Sequence, residues 1–193
     1  MSMPETASQV SEATAEVDGD GAPDTVRAYV LSDGDWHLQV TLAAGGGDDL
    51  AMATFGESTV AVLGGADVDG DGRDEIWART GAGASATILG LATFRGCALE
   101  RVVFEGGDPA ELPVGGSVGT ASGAECDARV DPTAHITTYV ASNTGGDQYE
   151  VTATEHSLEG SVLVPRGSTT TNTSIGDDLF GRATRFSCGD LTL

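Results

Sequence analysis

Two short acidic loops with the same residue pattern limit the folds that this chain can adopt. Residues 16–24 read EVDGDGAPD and residues 67–75 read DVDGDGRDE. Each loop is followed by a segment rich in β-branched and aromatic residues, Thr25–Val30 after the first and Ile76–Thr80 after the second, as expected for strands. Recurrence of a loop-and-strand unit within one chain indicates a repeat fold, and the sequence predicts that this fold is all-β.

Carboxylates stand at the first, third, fifth and ninth positions of both loops. They are Glu16, Asp18, Asp20 and Asp24 in the first loop and Asp67, Asp69, Asp71 and Glu75 in the second. Carboxylates so close together repel one another, and Ca²⁺ relieves the repulsion because it accepts about six to eight oxygens in flexible geometry. Glycines at the fourth and sixth positions let the chain curl, and the seventh residue, Ala22 or Arg73, would offer its backbone carbonyl.

These loops therefore predict two bound calcium ions. Magnesium is a weaker candidate because it requires a stricter octahedron, and zinc is weaker because neither loop contains His or Cys. An EF-hand is excluded, since its twelfth position needs an acidic residue followed by a helix, whereas Arg27 and Ala78 stand there in predicted strands. Solvated acidic turns that bind no ion are the alternative. The second loop is expected to bind more tightly, because Glu16 must reach further than Asp67.

A degenerate third copy follows in the C-terminal part of the chain. Aligning its strand, Ile136–Val140, on Ile76–Thr80 places Asp127, Arg129, Asp131 and His135 at the four acidic positions. A cation at Arg129 stands where a metal ligand belongs, so this copy is predicted to bind no calcium. Chance similarity is the alternative explanation for its two matching acids.

The remaining pattern divides the chain into a short linker and one repeat domain. Residues 1–15 are polar and predict an N-terminal linker, and residues 16–193 predict a single all-β domain with repeats at about 16–66, 67–126 and 127–193. Further strands are predicted at 36–42, 50–55, 59–63, 86–94, 99–104, 149–154 and 162–164, with Gly-rich turns between them. The Ser/Thr tract Ser168–Ser174 is predicted to be an exposed loop.

Charge restricts the partners of this chain. Its formal net charge is −21, and all nine of its basic residues are Arg. Such a surface repels phosphate backbones and anionic membranes, so nucleic acid and direct membrane insertion are not expected, whereas divalent cations are attracted. Adaptation to high salt is a second interpretation of the acid excess.

The residues around the second loop resemble a known repeat family. Phe55-Gly56, followed by the run from Gly65 through Asp67 to Ile76, looks like an FG-GAP (VCBS-type) repeat. The resemblance implies β-propeller blades, with the calcium loop joining the first and second strands of a blade. It also implies Thr59–Leu63 as the innermost strand, and a secreted or cell-envelope location, as in C-terminal regions of exported actinobacterial proteins.

Three repeats are too few for the usual closed propeller of four or more blades. The resemblance thus predicts a partial or small β-propeller, with a β-sandwich as the alternative. A signal or anchor segment is not expected within this chain, because Met1–Val17 lacks a basic residue and an apolar core.

Functionally, the sequence predicts a non-catalytic, calcium-binding structural or binding domain at the cell surface, with a protein or glycan partner. The alternative is an extracellular polymer hydrolase that uses a carboxylate pair. The GxSxG match Gly115–Gly119 is not expected to be a nucleophile elbow, because no helical pattern follows it.

Three cysteines, Cys97, Cys126 and Cys188, allow three pairings. The repeat alignment implied by the resemblance places Cys126 and Cys188 at similar positions, at the ends of inner strands, and so favours a bond between them. Cys97 would then remain a small buried thiol.

Overall fold

The computed structural model describes residues 3–52, 60–126 and 135–193, and within these ranges the chain is all-β, as predicted. A first antiparallel sheet, sheet one, has the strand order β1-β2-β3-β4. Its strands are β1 (Ser8–Ala15), β2 (Asp24–Val30), β3 (Trp36–Thr41) and β4 (Gly47–Met52). Strand β1 lies inside the predicted linker 1–15, where the linker assignment is wrong. The sequence gives no strand signal there because five of the eight residues of β1 are polar and only Ala15 is buried.

The remaining strands form a second, larger sheet, sheet two. Its strands are β5 (Ala61–Ala66), β6 (Glu75–Ala82), β7 (Ala86–Arg95), β8 (Ala98–Arg101), β9 (Val103–Phe104), β10 (Leu112–Gly116), β11 (Thr120–Cys126), β12 (Ile136–Gly145), β13 (Gln148–Glu159), β14 (Val162–Ser174), β15 (Phe186–Cys188) and β16 (Leu191–Thr192). The hydrogen-bonded order is β5-β6-β7-β10-β11-β12-β13-β14-β9, with β8 beside β7 and β15 between β11 and β16. Among the described residues the single helix is α1 (Asp178–Arg182), and it is too short to cross a membrane.

The two sheets pack face to face through an apolar core. Val26, Leu38 and Val40 of sheet one are fully buried, and they belong to the same cluster as Ile76 and Ala78 of sheet two. Polar contacts fix the edges of this interface, because the Val62 amide donates to Ser11 Oγ (2.9 Å) and the Leu99 amide donates to Asp48 Oδ2 (2.8 Å). Packed sheets of this kind agree with the β-sandwich alternative, and the described residues show no ring of propeller blades.

A second core lies within sheet two and includes the cysteine pair. Trp77 of β6 packs on Phe186 of β15, with ring centroids 4.7 Å apart. The parallel pairing of β11 with β15 sets Cys126 opposite Cys188, and a disulfide joins them across a Cα–Cα distance of 4.6 Å. The structure thus confirms the pairing that the repeat alignment favoured.

Cys97 is exposed, so the expectation of a buried thiol is wrong. It lies in the turn between β7 and β8, where Gly96 and Cys97 both have positive φ, 58° and 67°. Two consecutive positive φ values suit the tight hairpin turn that joins two adjacent antiparallel strands. The side chain at the tip of such a turn points away from both cores.

The Ser/Thr tract Ser168–Ser174 is also not a loop. It forms the second half of β14, which pairs along its whole length with β13. Thr has high β-propensity because its branched side chain suits a pleated surface. The polarity of the tract reflects an exposed strand rather than a missing one.

Candidate functional site

The two acidic loops occupy equivalent places in the two sheets. Loop one (residues 16–24) leads from β1 into β2, and loop two (residues 67–75) leads from β5 into β6. In each case the loop connects the first two strands of an antiparallel series. The sequence repeat therefore corresponds to a structural repeat at the level of strand, loop and strand.

Within loop one, the carboxylates hold the backbone in a tight curl. Glu16 Oε1 accepts hydrogen bonds from the amides of Gly19 (2.7 Å) and Asp20 (3.1 Å). Asp18 Oδ1 accepts from the Asp20 amide (3.1 Å), and Asp20 Oδ1 accepts from the Ala22 amide (2.7 Å). Gly19 has a φ of 82°, a conformation that glycine adopts without steric cost.

Loop two repeats this curl position by position. Asp67 Oδ1 accepts from the amides of Gly70 (2.8 Å) and Asp71 (3.1 Å). Asp69 Oδ1 accepts from the Asp71 amide (3.2 Å), and Asp71 Oδ1 accepts from the Arg73 amide (3.0 Å). The same loop positions bond at the same spacing, although Asp67 stands in place of Glu16 and the bond from the Gly72 amide to Asp67 Oδ2 (3.1 Å) has no counterpart in loop one.

The ninth residue of each loop is a buried anchor. Asp24 and Glu75 are each only 1% exposed. Asp24 Oδ2 accepts from the Val17 amide (3.1 Å) and its Oδ1 accepts from the Ala43 amide (2.8 Å), while Glu75 Oε2 accepts from the Val68 amide (3.0 Å). These bonds position one carboxylate at the base of each loop.

The structure brings some of the predicted ligands together and leaves others apart. Ligand oxygens of Glu16, Asp18 and Asp24 lie within 4.8 Å of one another in loop one, as do those of Asp67, Asp69 and Asp71 in loop two. Calcium holds oxygens at about 2.4 Å, so two ligands on opposite sides of the ion are about 4.8 Å apart. Both groups fit that size. Asp20 and Glu75 are outside these groups, and the roles of the Ala22 and Arg73 carbonyls stay predictions.

The pKa of the Glu75 carboxyl is strongly raised by its surroundings. Burial, and after it the negative charges of Asp69 and Asp71, raise the pKa of this carboxyl to about 8, although the Val68 amide and Arg95 act in the opposite direction. Desolvation also raises the pKa of Asp74, with Asp67 and Glu16 adding to the shift. A bound dication would favour the ionised form of all these groups.

Arg95 partly neutralises loop two. Its Nη2 lies 2.9 Å from Asp69 Oδ2 and 3.6 Å from Asp71 Oδ2. No arginine forms an equivalent ion pair with loop one among the residues that the structure describes. No local sequence pattern marks this contact, because Arg95 lies at the end of β7 and reaches loop two only through the pairing of β6 with β7.

Asp74 links the two loops directly. Its Oδ2 accepts from the Glu16 amide (2.8 Å), and its own amide donates to the Glu16 carbonyl (2.5 Å). Gly65 lies beside this contact, and a Cβ atom there would be 2.5 Å from Ala15 Cβ and 2.7 Å from Asp74 Cβ. A side chain at position 65 would therefore push the loop bases apart.

Several features predicted from the sequence are not part of this site. Phe55-Gly56 and the third-copy residues Asp127, Arg129 and Asp131 lie outside the described residues. His135 accepts a hydrogen bond from the Leu158 amide through Nδ1 (2.9 Å), which is a structural role. Ser117 lies in the turn between β10 and β11, so the GxSxG match is not followed by a helix.

Away from the loops, a cavity of about 230 Å³ opens between β10 and the strands β11–β13. Its wall is mostly apolar, with Phe104 and Leu112 among the lining residues. Among the described residues that line it, Glu111 is the only carboxylate and His156 the only histidine. Burial lowers the pKa of His156, so this imidazole is neutral near pH 7.

Comparison of the chain with protein-family models, with curated proteins and with solved structures finds no match.

Proposed function

We propose that this chain is a calcium-binding, non-catalytic structural or binding domain of an exported or cell-surface protein. The observation that carries the proposal is the duplicated curl. Two loops in different sheets are shaped by matching hydrogen bonds from backbone amides to carboxylates. Each loop brings three carboxylates close together.

Chemistry favours calcium at these loops. Every converging side chain is a carboxylate, and hard oxygen donors suit Ca²⁺ better than Zn²⁺. Backbone carbonyls and water would have to complete the coordination, and such a mixed set of ligands suits an ion of flexible geometry better than octahedral Mg²⁺. A net charge of −21 adds long-range attraction for any dication.

Bound calcium would stabilise the fold rather than take part in a reaction. Loop one and loop two each connect the first strands of their sheets, and Asp74 joins the loops to each other. Neutralising their carboxylates would stabilise the region where the two sheets meet. The faces outside the loops would then be held rigidly for a protein or glycan partner at the cell surface. Extracellular calcium-binding modules function there even with low affinity.

Calorimetry with calcium and with chelator tests the proposal. At a free calcium concentration about one hundred times the dissociation constant, one site adds about 2.7 kcal/mol to the free energy of unfolding. We expect a higher melting temperature with calcium and two bound ions per chain in isothermal titration. Asp108→Ala removes an exposed acid outside both loops and should retain both ions. A melting temperature indifferent to calcium would reject the proposal.

The hydrolase alternative requires two carboxylates in a cleft outside the loops, about 5 to 9.5 Å apart. The cavity beside His156 contains one carboxylate, Glu111. No observation on the described residues supports a carboxylate pair there, and this second function is not proposed.

A further inference from the structure

The second half of β14 has an open hydrogen-bonding edge. On one side, β14 pairs with β13 from Val162 to Ser174. On its other side, β9 pairs only with Val162 and Leu163. Within the described part of the chain, no strand covers residues 167–172 on that side. We name residues 167–172 the open edge; all six are exposed.

The covering strand β9 ends at Phe104, where the chain turns and the Gly107 amide donates to the Phe104 carbonyl (2.7 Å), and a bulge follows in β14. The register between β13 and β14 shifts between Glu155 and His156, leaving Arg166 as the extra residue of β14. A bulge bends its strand and increases the local twist. Beyond Arg166 no described strand pairs with the outer side of β14, and residues 167–172 are exposed.

Within residues 167–172 the open edge has none of the features that usually protect such strands; Pro165, Arg166 and the bulge stand just before it. Edge strands are commonly blocked by charged side chains, prolines or bulges within the exposed stretch. The sequence of the open edge is GSTTTN, with no charge and no proline, in a chain whose net charge is −21. Its threonines favour extended backbone. At about 3.3 Å per residue the edge is about 20 Å long, the length of an ordinary strand.

The side chains of the open edge complement copies of themselves. A hydroxyl both donates and accepts hydrogen bonds, so a row of threonines matches an identical row. The chain already makes such bonds between β13 and β14, where Thr152 Oγ1 lies 3.0 Å from Thr170 Oγ1 and Thr154 Oγ1 lies 2.9 Å from Ser168 Oγ. Two open edges brought together would also place no carboxylate of one paired strand against a carboxylate of the other.

We propose that two copies of this chain associate through antiparallel pairing of their open edges, so that sheet two continues from one molecule into the other. An antiparallel arrangement of identical strands has two-fold symmetry and closes at a dimer. Repulsion between two molecules of net charge −21 opposes association at low salt. At about 1 M salt the repulsion is screened beyond about 3 Å, whereas at about 0.1 M it is screened only beyond about 10 Å. Salt does not remove the backbone hydrogen bonds that would pair the two edges.

Sedimentation equilibrium tests this pairing on the full chain. We expect a monomer–dimer equilibrium whose dissociation constant falls at least about tenfold between about 0.1 M and about 1 M NaCl. Hydrogen exchange should show new protection of the amides in residues 167–172 as the dimer forms. A monomer at all concentrations and salt levels, or protection that appears elsewhere, would overturn the proposal.

Two matched variants separate the edge from general charge effects. Thr170→Lys places a cation on the open edge and should weaken the dimer at least about tenfold, because lysine protects edges. Thr152→Lys adds the same charge and breaks the same Thr152–Thr170 hydrogen bond, but it lies on β13, one strand further in. It should dimerise like the unmodified chain. Equal dimer affinity of the two variants would refute pairing at β14.

Discussion

Replacing Glu75 by glutamine should stabilise the protein without calcium and destabilise it with calcium. The Glu75 side chain is 1% exposed, and its Oε2 accepts a hydrogen bond from the Val68 amide at 3.0 Å. Glutamine retains a side-chain oxygen for that bond and removes the negative charge. The substitution therefore isolates the free energy of burying an ionised carboxylate beside Asp69 and Asp71.

The magnitude follows from the raised pKa of Glu75. Burial raises it from 4.5 to about 8, so the folded state binds a proton more tightly than the unfolded state. Stability consequently falls as the pH rises from about 4.5 to about 8. At about 1.36 kcal/mol per pH unit, the loss is about 3 kcal/mol at pH 7 and approaches about 5 kcal/mol above pH 8. Glutamine at position 75 has no such loss.

Urea unfolding at pH 5, 7 and 9 measures this difference, first in chelator and then in excess calcium. In chelator the advantage of Glu75→Gln should grow with pH; in calcium it should reverse, because a predicted anionic ligand has been removed. Glu105→Gln, at an exposed position, is the control and should change little at any pH. An advantage of Glu75→Gln in chelator that stays constant from pH 5 to pH 9 would refute the reasoning.

Three other predictions concern the loops, the disulfide and the cavity. Asp18→Ala and Asp69→Ala should each remove about one equivalent of calcium in isothermal titration. The calcium ion lost in Asp18→Ala should be the more tightly bound of the two, because an arginine already pairs with loop two. This order is the reverse of the one expected from the sequence. Replacing Cys126 and Cys188 by alanine should lower the free energy of unfolding by about 4 kcal/mol in urea titrations, since the bond closes a long loop; a loss below about 1 kcal/mol would contradict that estimate. Burial lowers the pKa of His156, so the unfolded state binds a proton more readily and stability should fall as the pH drops below about 6.5. His156→Phe should remove this acid-dependent loss, so that its melting temperature falls less than that of the unmodified chain between pH 8 and pH 5; an equal fall in both proteins would argue against it.

The curl of the loops could be predicted from sequence because it is local. Every bond that shapes it joins residues two to five positions apart, such as Glu16 to Gly19 and Asp67 to Gly72. Carboxylate spacing and glycine positions therefore specify it. The cysteine pairing could be inferred as well, because the repeat alignment placed both cysteines at equivalent strand ends.

Longer-range features could not be predicted in this way. The contacts of Arg95 with Asp69 and of Asp74 with Glu16 depend on strand pairing and on packing between the sheets. Strand β1 was missed because its exposed face removes the apolar alternation that marks a half-buried strand. Sequence predicts a loop at Ser168–Ser174 because hydroxyl-rich composition is common to turns and exposed strands.

The parallel pairing of β11 with β15 has a consequence for the order of folding. Sheet one and the series β5 to β8 are built from neighbouring hairpins, and local contacts of this kind form early because little chain entropy is lost in closing them. Strand β15 must instead find β11 from 62 residues away, the separation of Cys126 from Cys188. During synthesis the hairpins of sheet one can form before β15 is made, whereas the core around Trp77 and Phe186 stays incomplete until β15 pairs with β11. Formation of the disulfide would then follow the pairing of β15 with β11 and make that pairing slow to reverse.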